Sequence, residues 1–348
     1  RASSATVVNK DGLIETVGSG EPRIDYKDDS KGALLLEPSR NNLVKSSGDI
    51  STQSTYWVSN QGGTSIQNAT TAPDGSNTAS QINTFGQQYG GITQGSISVS
   101  NTEYTYSIYL KAKNGTPNIR LIFFDGATFH SSDFTISSEW KRYDYKFTPL
   151  AGSFQIYITC PYVEASFYTW GAQLEQGSYA TSYIPTQGGV VTRNQDACNQ
   201  TVPSNIFNSV EGVIYTEISS LSNDGTQRRF TFGDANFSDN IRFTYLPTDN
   251  LFEVNLYNGS DQGKLSFTLT NAVELNKIAY LYSPNDFQLW VNGVKVDFVN
   301  SGTTFSSGTL VKIAQGDSSG QRKFYGNIKD LRVYNTSLTD AELQTLTT

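Results

Sequence analysis

Cleavage of a glycosidic bond calls for two carboxyl groups facing each other across a groove, one on each side of the scissile bond. Glu217 and Glu253 fall on predicted strands, but each stands singly, and a surface position accounts for both. His130 is the sole histidine, in the stretch FFDGATFH. It has no nucleophile-elbow serine to serve, and no local signature links it to Cys160 or Cys198. A single histidine cannot build a metal triad, and two cysteines are too few for a disulfide framework. Both thiols are read as unpaired, with one bridge between domains as the alternative. No glycine loop has the spacing that cradles phosphate. Catalysis is therefore not expected. Holding a sugar needs other parts: an aromatic ring to stack on the apolar face of the pyranose, and amides or carboxylates to take its hydroxyls. Such residues are abundant. Tyr56, Trp57, Tyr89, Phe129 and Tyr162 are the candidates in the first half, and Tyr245, Tyr257 and Asn258 in the second. Trp140, Trp170 and Trp290 take inward-looking strand positions and read as core, while Trp57, in YWVS, suits either role.

These side chains must be positioned by β-structure. Of the 348 residues, 16% are charged and 12% aromatic, a β-rich and extracellular-looking composition. The length allows two domains, each with its own core. A formal net charge of −7 and the lack of any basic block argue against nucleic acid and anionic membrane surfaces as partners. No apolar run reaches the 18 or so residues that a membrane-spanning helix requires. The chain starts at Arg1 and contains no Met, so a processed or partial product is expected, with upstream sequence missing.

Along the chain, residues 1–40 carry short apolar groups between Gly, Pro and Asp clusters, and read as a docking segment, with Asp25, Glu37 and Arg40 as a candidate ion-pair group. Residues 41–187 repeat short alternating strands: YTYSIYLK, then Ile119 to Phe124 with the hairpin signal Asp125-Gly126, then WKRYDYKF and FQIYIT. The stretch Trp170 to Pro185 closes this domain. Residues 188–206 are polar and Gly-bearing and read as a linker. Residues 207–348 restart the alternation with GVIYTEIS, place Asn292-Gly293 at a hairpin turn, and end in a short helix begun by the capping box of Thr339 and Glu342. The expected fold class is all-β, two consecutive antiparallel sandwiches with an irregular N-terminal segment and one short C-terminal helix.

The words DGLIETV, PRIDY and ALLLEPSRNNL resemble the segment that precedes carbohydrate-binding-like modules in tailed-bacteriophage structural proteins and in related marine-bacterial proteins. The strand order ending in FYTWGAQLEQG resembles jelly-roll carbohydrate-binding modules, and FYGNIKDLRVYNTSLTDAELQTL resembles the closing strand of concanavalin-A-like or laminin-G-like lectin domains. Together these resemblances cover most of the chain. They imply a jelly roll followed by a concanavalin-A-like domain. Glucanases of the latter kind carry a Glu-x-Asp-x-x-Glu motif, absent here. The resemblance makes calcium a candidate cofactor: Asp74, in TAPDGSNTA, matches the loop that holds it in jelly-roll modules, and Asp234, Asp239 and Asp317 lie on predicted loops of the second domain. Each also suits a turn. The implied function is a non-catalytic virion or extracellular structural protein, such as a tail-fibre, receptor-binding or capsid-decorating protein. Its implied partners are glycans on a cell surface and other virion proteins, and avidity favours a homo-oligomer, a trimer above other rings. Two alternatives stand beside it: the non-catalytic modules of a secreted polysaccharide-degrading enzyme, and a purely architectural virion protein.

Overall fold

The computed structural model describes residues 1–203 and 205–348. The chain is all-β, and the helix among the described residues is Asp340–Thr347. It divides into two compact units: Arg1–Glu21 with Ser39–Asn194, and Pro22–Pro38 with Gln195–Thr348.

In the first unit two five-stranded antiparallel sheets face each other among the described residues. One runs, in spatial order, Phe129–Thr135, Asn118–Phe124, Gly152–Thr159, Gly91–Val99 and Val58–Asn60; the other runs Lys141–Phe147, Tyr104–Ala112, Glu164–Gln176, Ala79–Phe85 and Thr64–Thr70. Alternation explains why these segments pair with one face inward. Ile119, Leu121 and Phe123 point into the core with Phe154, Ile156 and Ile158, while Arg120 and Phe124 take the other face. Phe123 anchors the interior, its ring 4.5 Å from that of Phe147 and 5.7 Å from that of Phe154. The strand Glu164–Gln176 is buried on both faces from Thr169 to Glu175, where Trp170 packs outside the sandwich against Ile14, Ala72, Ala79 and Tyr183. At Gly171 this strand bulges with φ of 67°, and a Cβ there would come within 3.0 Å of the Tyr109 ring. The left-handed backbone and the close ring both require glycine.

The hairpin signal at Asp125 is realised in detail. One Asp125 carboxylate oxygen accepts the amides of Ala127 and Thr128, and the other accepts the Leu150 amide at 3.0 Å and lies 3.1 Å from His130 Nε2. The lone histidine is thus a structural partner of the turn. These bonds, that from Leu150 foremost and then that from Thr128, hold the Asp125 carboxyl well below the usual carboxylate range. Because the folded-state pKa is depressed, the contribution is present above the unfolded value near ~4 and is lost as pH falls. Asp125→Ala is expected to destabilise the first unit by about 1–3 kcal/mol at neutral pH. Chemical denaturation at pH 7 and at low pH checks this, and a deficit that does not shrink on acidification would contradict it.

The second unit holds a six-stranded sheet, in order Asn199–Thr201, Lys312–Gln315, Arg228–Gly233, Asp239–Tyr245, Leu251–Asn258 and Leu265–Thr268, among the described residues. Its partner has seven strands, in order Val294–Val299, Asp286–Val291, Asn276–Ser283, Gly212–Ser220, Gly326–Tyr334, Ala33–Leu36 and Ile24–Asp25. Phe230, Phe232, Ile241, Phe243, Phe252, Val254, Ile278, Tyr280 and Leu289 fill the core between them. The capping box forms as the sequence predicts, with the Thr339 hydroxyl and the Glu342 carboxylate exchanging bonds with each other's backbone amides.

The N-terminal 40 residues do not stand apart as one docking segment. Ala5–Val8 and Ile14–Val17 form a hairpin in the first unit, whereas Leu34 and Leu36 pair with Ile328 and Gly326 in the second unit's sheet. The apolar run Leu34–Leu36 finishes that sheet and its core. Within the range 188–206, of which residue 204 lies outside the described residues, two segments are similarly taken up: Val191–Arg193 pairs with Arg40–Asn42, and Asn199–Thr201 pairs with Lys312–Gln315. The candidate group of Asp25, Glu37 and Arg40 is corrected as well. Glu37 pairs instead with Arg23 at 2.6 Å, and Arg40 lies over the Tyr179 ring in the other unit. Cys160 and Cys198 are free thiols.

Candidate functional site

The outward face of the first unit's Phe129–Thr135 sheet gathers aromatic and charged side chains in register. Phe124 stands opposite Phe129, and Arg120 opposite Asp133. The Phe124 and Phe129 rings stack at 4.5 Å, and Tyr89 stacks on Phe129 at 5.8 Å with only 10° between the planes. Tyr89 comes from the loop before Gly91–Val99. Its carbonyl accepts Asn60 Nδ2 at 2.5 Å, and its amide donates to Gln61 Oε1 at 3.1 Å, which fixes the loop over the sheet. Arg120 makes a two-pronged pair with Asp133 at 2.6 and 2.7 Å. The hydrogen bonds to Asp133 raise the Arg120 pKa, Tyr162 and Tyr89 adding to the effect, and the same pair lowers that of Asp133. Tyr157 and Gln155 continue the face on the next strand.

Tyr162 completes it. Its ring is 67% exposed, and its backbone is held at φ of 60° by a loop in which its amide donates to the Gln87 carbonyl. A bulky residue rarely adopts that conformation, and strain of this kind concentrates at binding sites. Phe129 is 53% exposed in the same unit. An open sheet face with stacked rings, a fixed cation and a fixed carboxylate can take the apolar side of a sugar ring and its hydroxyls together.

The other aromatic candidates lie elsewhere. Trp57 is fully buried in the first unit's core, its indole N–H donating to the Ser46 carbonyl at 2.8 Å, so it is not a surface platform. Tyr245 is also core: it packs edge-on to Phe252 at 5.2 Å, and burial pushes its phenol pKa up strongly. In both cases the strand alternation turns the ring inward. Tyr56 donates its hydroxyl to the Gly188 carbonyl at 2.7 Å. Tyr257 and Asn258 stay at the surface of the second unit, with Arg242 over the Tyr257 ring at 5.0 Å and Asn258 Nδ2 donating to Thr303 Oγ1 at 3.0 Å. Arg120, Phe124, Asp133, Gln155 and Tyr157 were not among the sequence candidates. Alternation in IRLIFF signals that Arg120 and Phe124 share a face, but the register that brings Asp133 and Phe129 opposite them is invisible in one strand.

Three of the four aspartates considered for calcium accept backbone amides of their own loops, as turn formers do. Asp74 accepts the Ser76 amide at 2.9 Å, Asp234 the amides of Asn236 and Ser238, and Asp317 those of Ser319 and Gln321. Asp239 opens a strand and offers its carbonyl to the Asp234 amide. Among the described residues no group of three or more His, Cys, Asp or Glu side chains gathers in a metal-binding cluster. Asp74 does border a cleft of about 750 Å³ in the first unit, lined also by Asp49, Gln67, Thr78, Trp170 and Tyr183.

Residues 200–344 match the family described as the concanavalin A-like lectin/glucanases superfamily, which is the fold class of the second unit. No curated protein matches the chain. Among solved structures, the chain is similar to the CBM40 of the Ruminococcus gnavus IT-sialidase, at 16% identity over 44% of this chain and 96% of that one, with a TM-score of 0.37. It is similar also to the CBM22-1 xylan-binding domain of Paenibacillus barcinonensis Xyn10C, at 13% identity over 40% and 94%, with a TM-score of 0.33. Domains LG4-5 of the mouse laminin alpha1 chain match at 13% identity over 75% and 90%, with a TM-score of 0.29. These are likenesses of fold.

Proposed function

We propose that this chain is a non-catalytic glycan-binding protein and that the outward sheet face of its first unit is the binding surface. The observation that carries this reading is Tyr162, an exposed aromatic residue on a left-handed backbone, close enough to Arg120 to act on its charge, in the unit whose sheet face carries the stacked Tyr89 and Phe129. A narrower reading, resting on the N-terminal words PRIDY and ALLLEPSRNNL, places the protein in a virion or another extracellular assembly, where many copies make weak sites effective.

A glycan array probed with the purified chain, with and without a calcium chelator, tests the reading. Silence across the array would reject it. A calcium response would draw the loop aspartates into the support of the site. For the glycan that binds, Tyr162→Gly is expected to weaken affinity by about 1–2 kcal/mol, roughly 5- to 30-fold. The same variant relieves the backbone strain, so its folding transition is expected to hold or rise. Loss of stability with unchanged affinity would make Tyr162 a structural residue.

A further inference from the structure

The outer face of the six-stranded sheet in the second unit carries a group of cations that the surface described above does not use. Arg229 alternates with the core residues Phe230 and Phe232, and Arg242 alternates with Ile241 and Phe243, so both point to that outer face. Thr244 stands opposite Arg229 in register, and its hydroxyl accepts Arg229 Nε at 3.2 Å. Arg322 joins them from a neighbouring loop, where its carbonyl accepts the Arg229 amide at 2.7 Å.

Charge pairing around Arg229 leaves it out. Asp261 is taken by Arg242 at 3.2 Å, Asp317 by Arg322 at 3.0 Å, and Glu253 by Lys264 at 3.2 Å. Among the described residues no carboxylate lies within ion-pair distance of Arg229, and its side chain's hydrogen bond is the one from Nε to a neutral hydroxyl. Among the described residues its two terminal nitrogens have no acceptor, and they are not among the atoms sealed from solvent. Arg229 is nevertheless just 8% exposed. A guanidinium this buried is ordinarily paired, because withdrawing it from water without a counter-charge is costly. Burial, and then the positive charges of Arg242 and Arg322, lower its pKa from the ordinary value, against a smaller opposing effect of Asp317 and Glu253. Nearby Arg242 Nε, Asn240 Oδ1 and Asn255 Oδ1 are buried without partners as well. Unmet groups thus lie on the same sheet face as an unpaired cation, those of Arg242 and Asn255 two residues along from it.

We infer that this face is a second binding site, in which the terminal nitrogens of Arg229 clasp an oxyanion, the carboxylate or sulfate ester of an acidic saccharide. The planar fork of a guanidinium fits two oxygens of such a group at once, which an ammonium does not. Tyr257, with Arg242 over its ring, lies on the same face opposite Asn240, four residues along the sheet from the row of Arg229 and Thr244, and offers an aromatic surface to a further residue of the saccharide. The saccharide half of this statement rests on the glycan-binding reading above, whereas the oxyanion half stands on Arg229.

Calorimetric titration of the full chain with tri-galacturonate, a sulfated disaccharide, a neutral trisaccharide and inorganic sulfate tests it. An acidic saccharide is expected to bind, and the neutral sugar not to bind at this face. Arg229→Gln is expected to weaken the acidic saccharide tenfold or more, and Arg229→Lys to recover only part of that loss. Binding of neutral glycans through Tyr162 should be unchanged in both, so the two sites fail or survive separately. Because Arg229→Gln removes an unpaired buried charge, its melting temperature should equal or exceed that of the wild type. Equal affinity in wild type and Arg229→Gln would overturn the inference, as would absence of acidic-saccharide binding at millimolar concentration. A fall in melting temperature would also overturn it, by showing that Arg229 is a structural partner. Inorganic sulfate binding as tightly as the sulfated sugar would overturn the saccharide half and leave the oxyanion site standing.

Discussion

Replacing Arg23 by Met is expected to destabilise the second unit by about 3–5 kcal/mol at neutral pH, the cost of breaking a buried ion pair from one side. Arg23 is 1% exposed, and Glu37 and Asp196 are hardly more so. Its guanidinium donates to Glu37 at 2.6 Å and to the Asp196 carboxylate, which in turn accepts the Glu37 amide at 2.8 Å. Burial opposes the charged state of Arg23, but Glu37 and Asp196 together outweigh it and the pKa is raised. The network ties the segment Pro22–Pro38 to the chain that resumes at Gln195. Without the guanidinium, two buried carboxylates lose the charge that Arg23 supplies, which shifts them toward their protonated forms. The deficit should therefore narrow as pH falls toward ~4, where model carboxyl groups take up protons, and widen toward neutrality. Differential scanning calorimetry of the wild type and Arg23→Met across that range checks both size and sign. A variant in which Glu37 and Asp196 are also replaced by Leu should regain much of the loss, since a well-packed apolar trio avoids the desolvation cost altogether. A loss under 1 kcal/mol in the single variant would mean that water reaches the network.

How far these features are legible in the sequence depends on which contacts set them. Strand identity in IRLIFF and GVIYTEIS follows from period two and needs no partner, and the Thr339 and Glu342 box acts within four residues, so both are legible. The split of the N-terminal segment is not. Leu34–Leu36 reads as a short apolar word of the same kind as Ile14, and nothing local says that it pairs with Gly326–Ile328 some 290 residues later. The same limit hides Arg23 and Asp196, which are 173 positions apart. On the outward sheet face of the first unit, residue type alone makes Tyr89, Phe129 and Tyr162 candidates, and the fold brings them onto one unit's surface, with Tyr89 stacked on Phe129 and Arg120 opposite Asp133. Their mutual position depends on cross-strand register, which a single strand does not encode. Arg229 is the sharpest case. RFTFG shows that it faces away from Phe230, but its burial comes from the loop that carries Arg322, and its lack of a partner comes from pairs made on three other elements.

Trp57 exposes the same limit in reverse, and its substitution has the other large effect. YWVS fits a platform aromatic and a core anchor equally well by composition, and the choice between them is a matter of what lies on each side of the chain. Ile50, Val44 and Ile92 lie in the same buried cluster as Trp57, and the indole N–H is bound to the Ser46 carbonyl at 2.8 Å. Trp57→Ala is accordingly expected to cost about 3–5 kcal/mol of first-unit stability, from lost transfer energy and from the cavity left behind. The Ser46 carbonyl also loses its donor in a buried place, which adds to the loss. Trp57→Phe should recover most of the packing but not the hydrogen bond, and fall between. Glycan affinity, measured at a temperature where the variant is still folded, should stay within twofold of the wild type, because the ring does not reach the surface that carries Tyr162. A variant that keeps its melting temperature and loses glycan binding would return Trp57 to the site and require the loop before Val58 to open in solution.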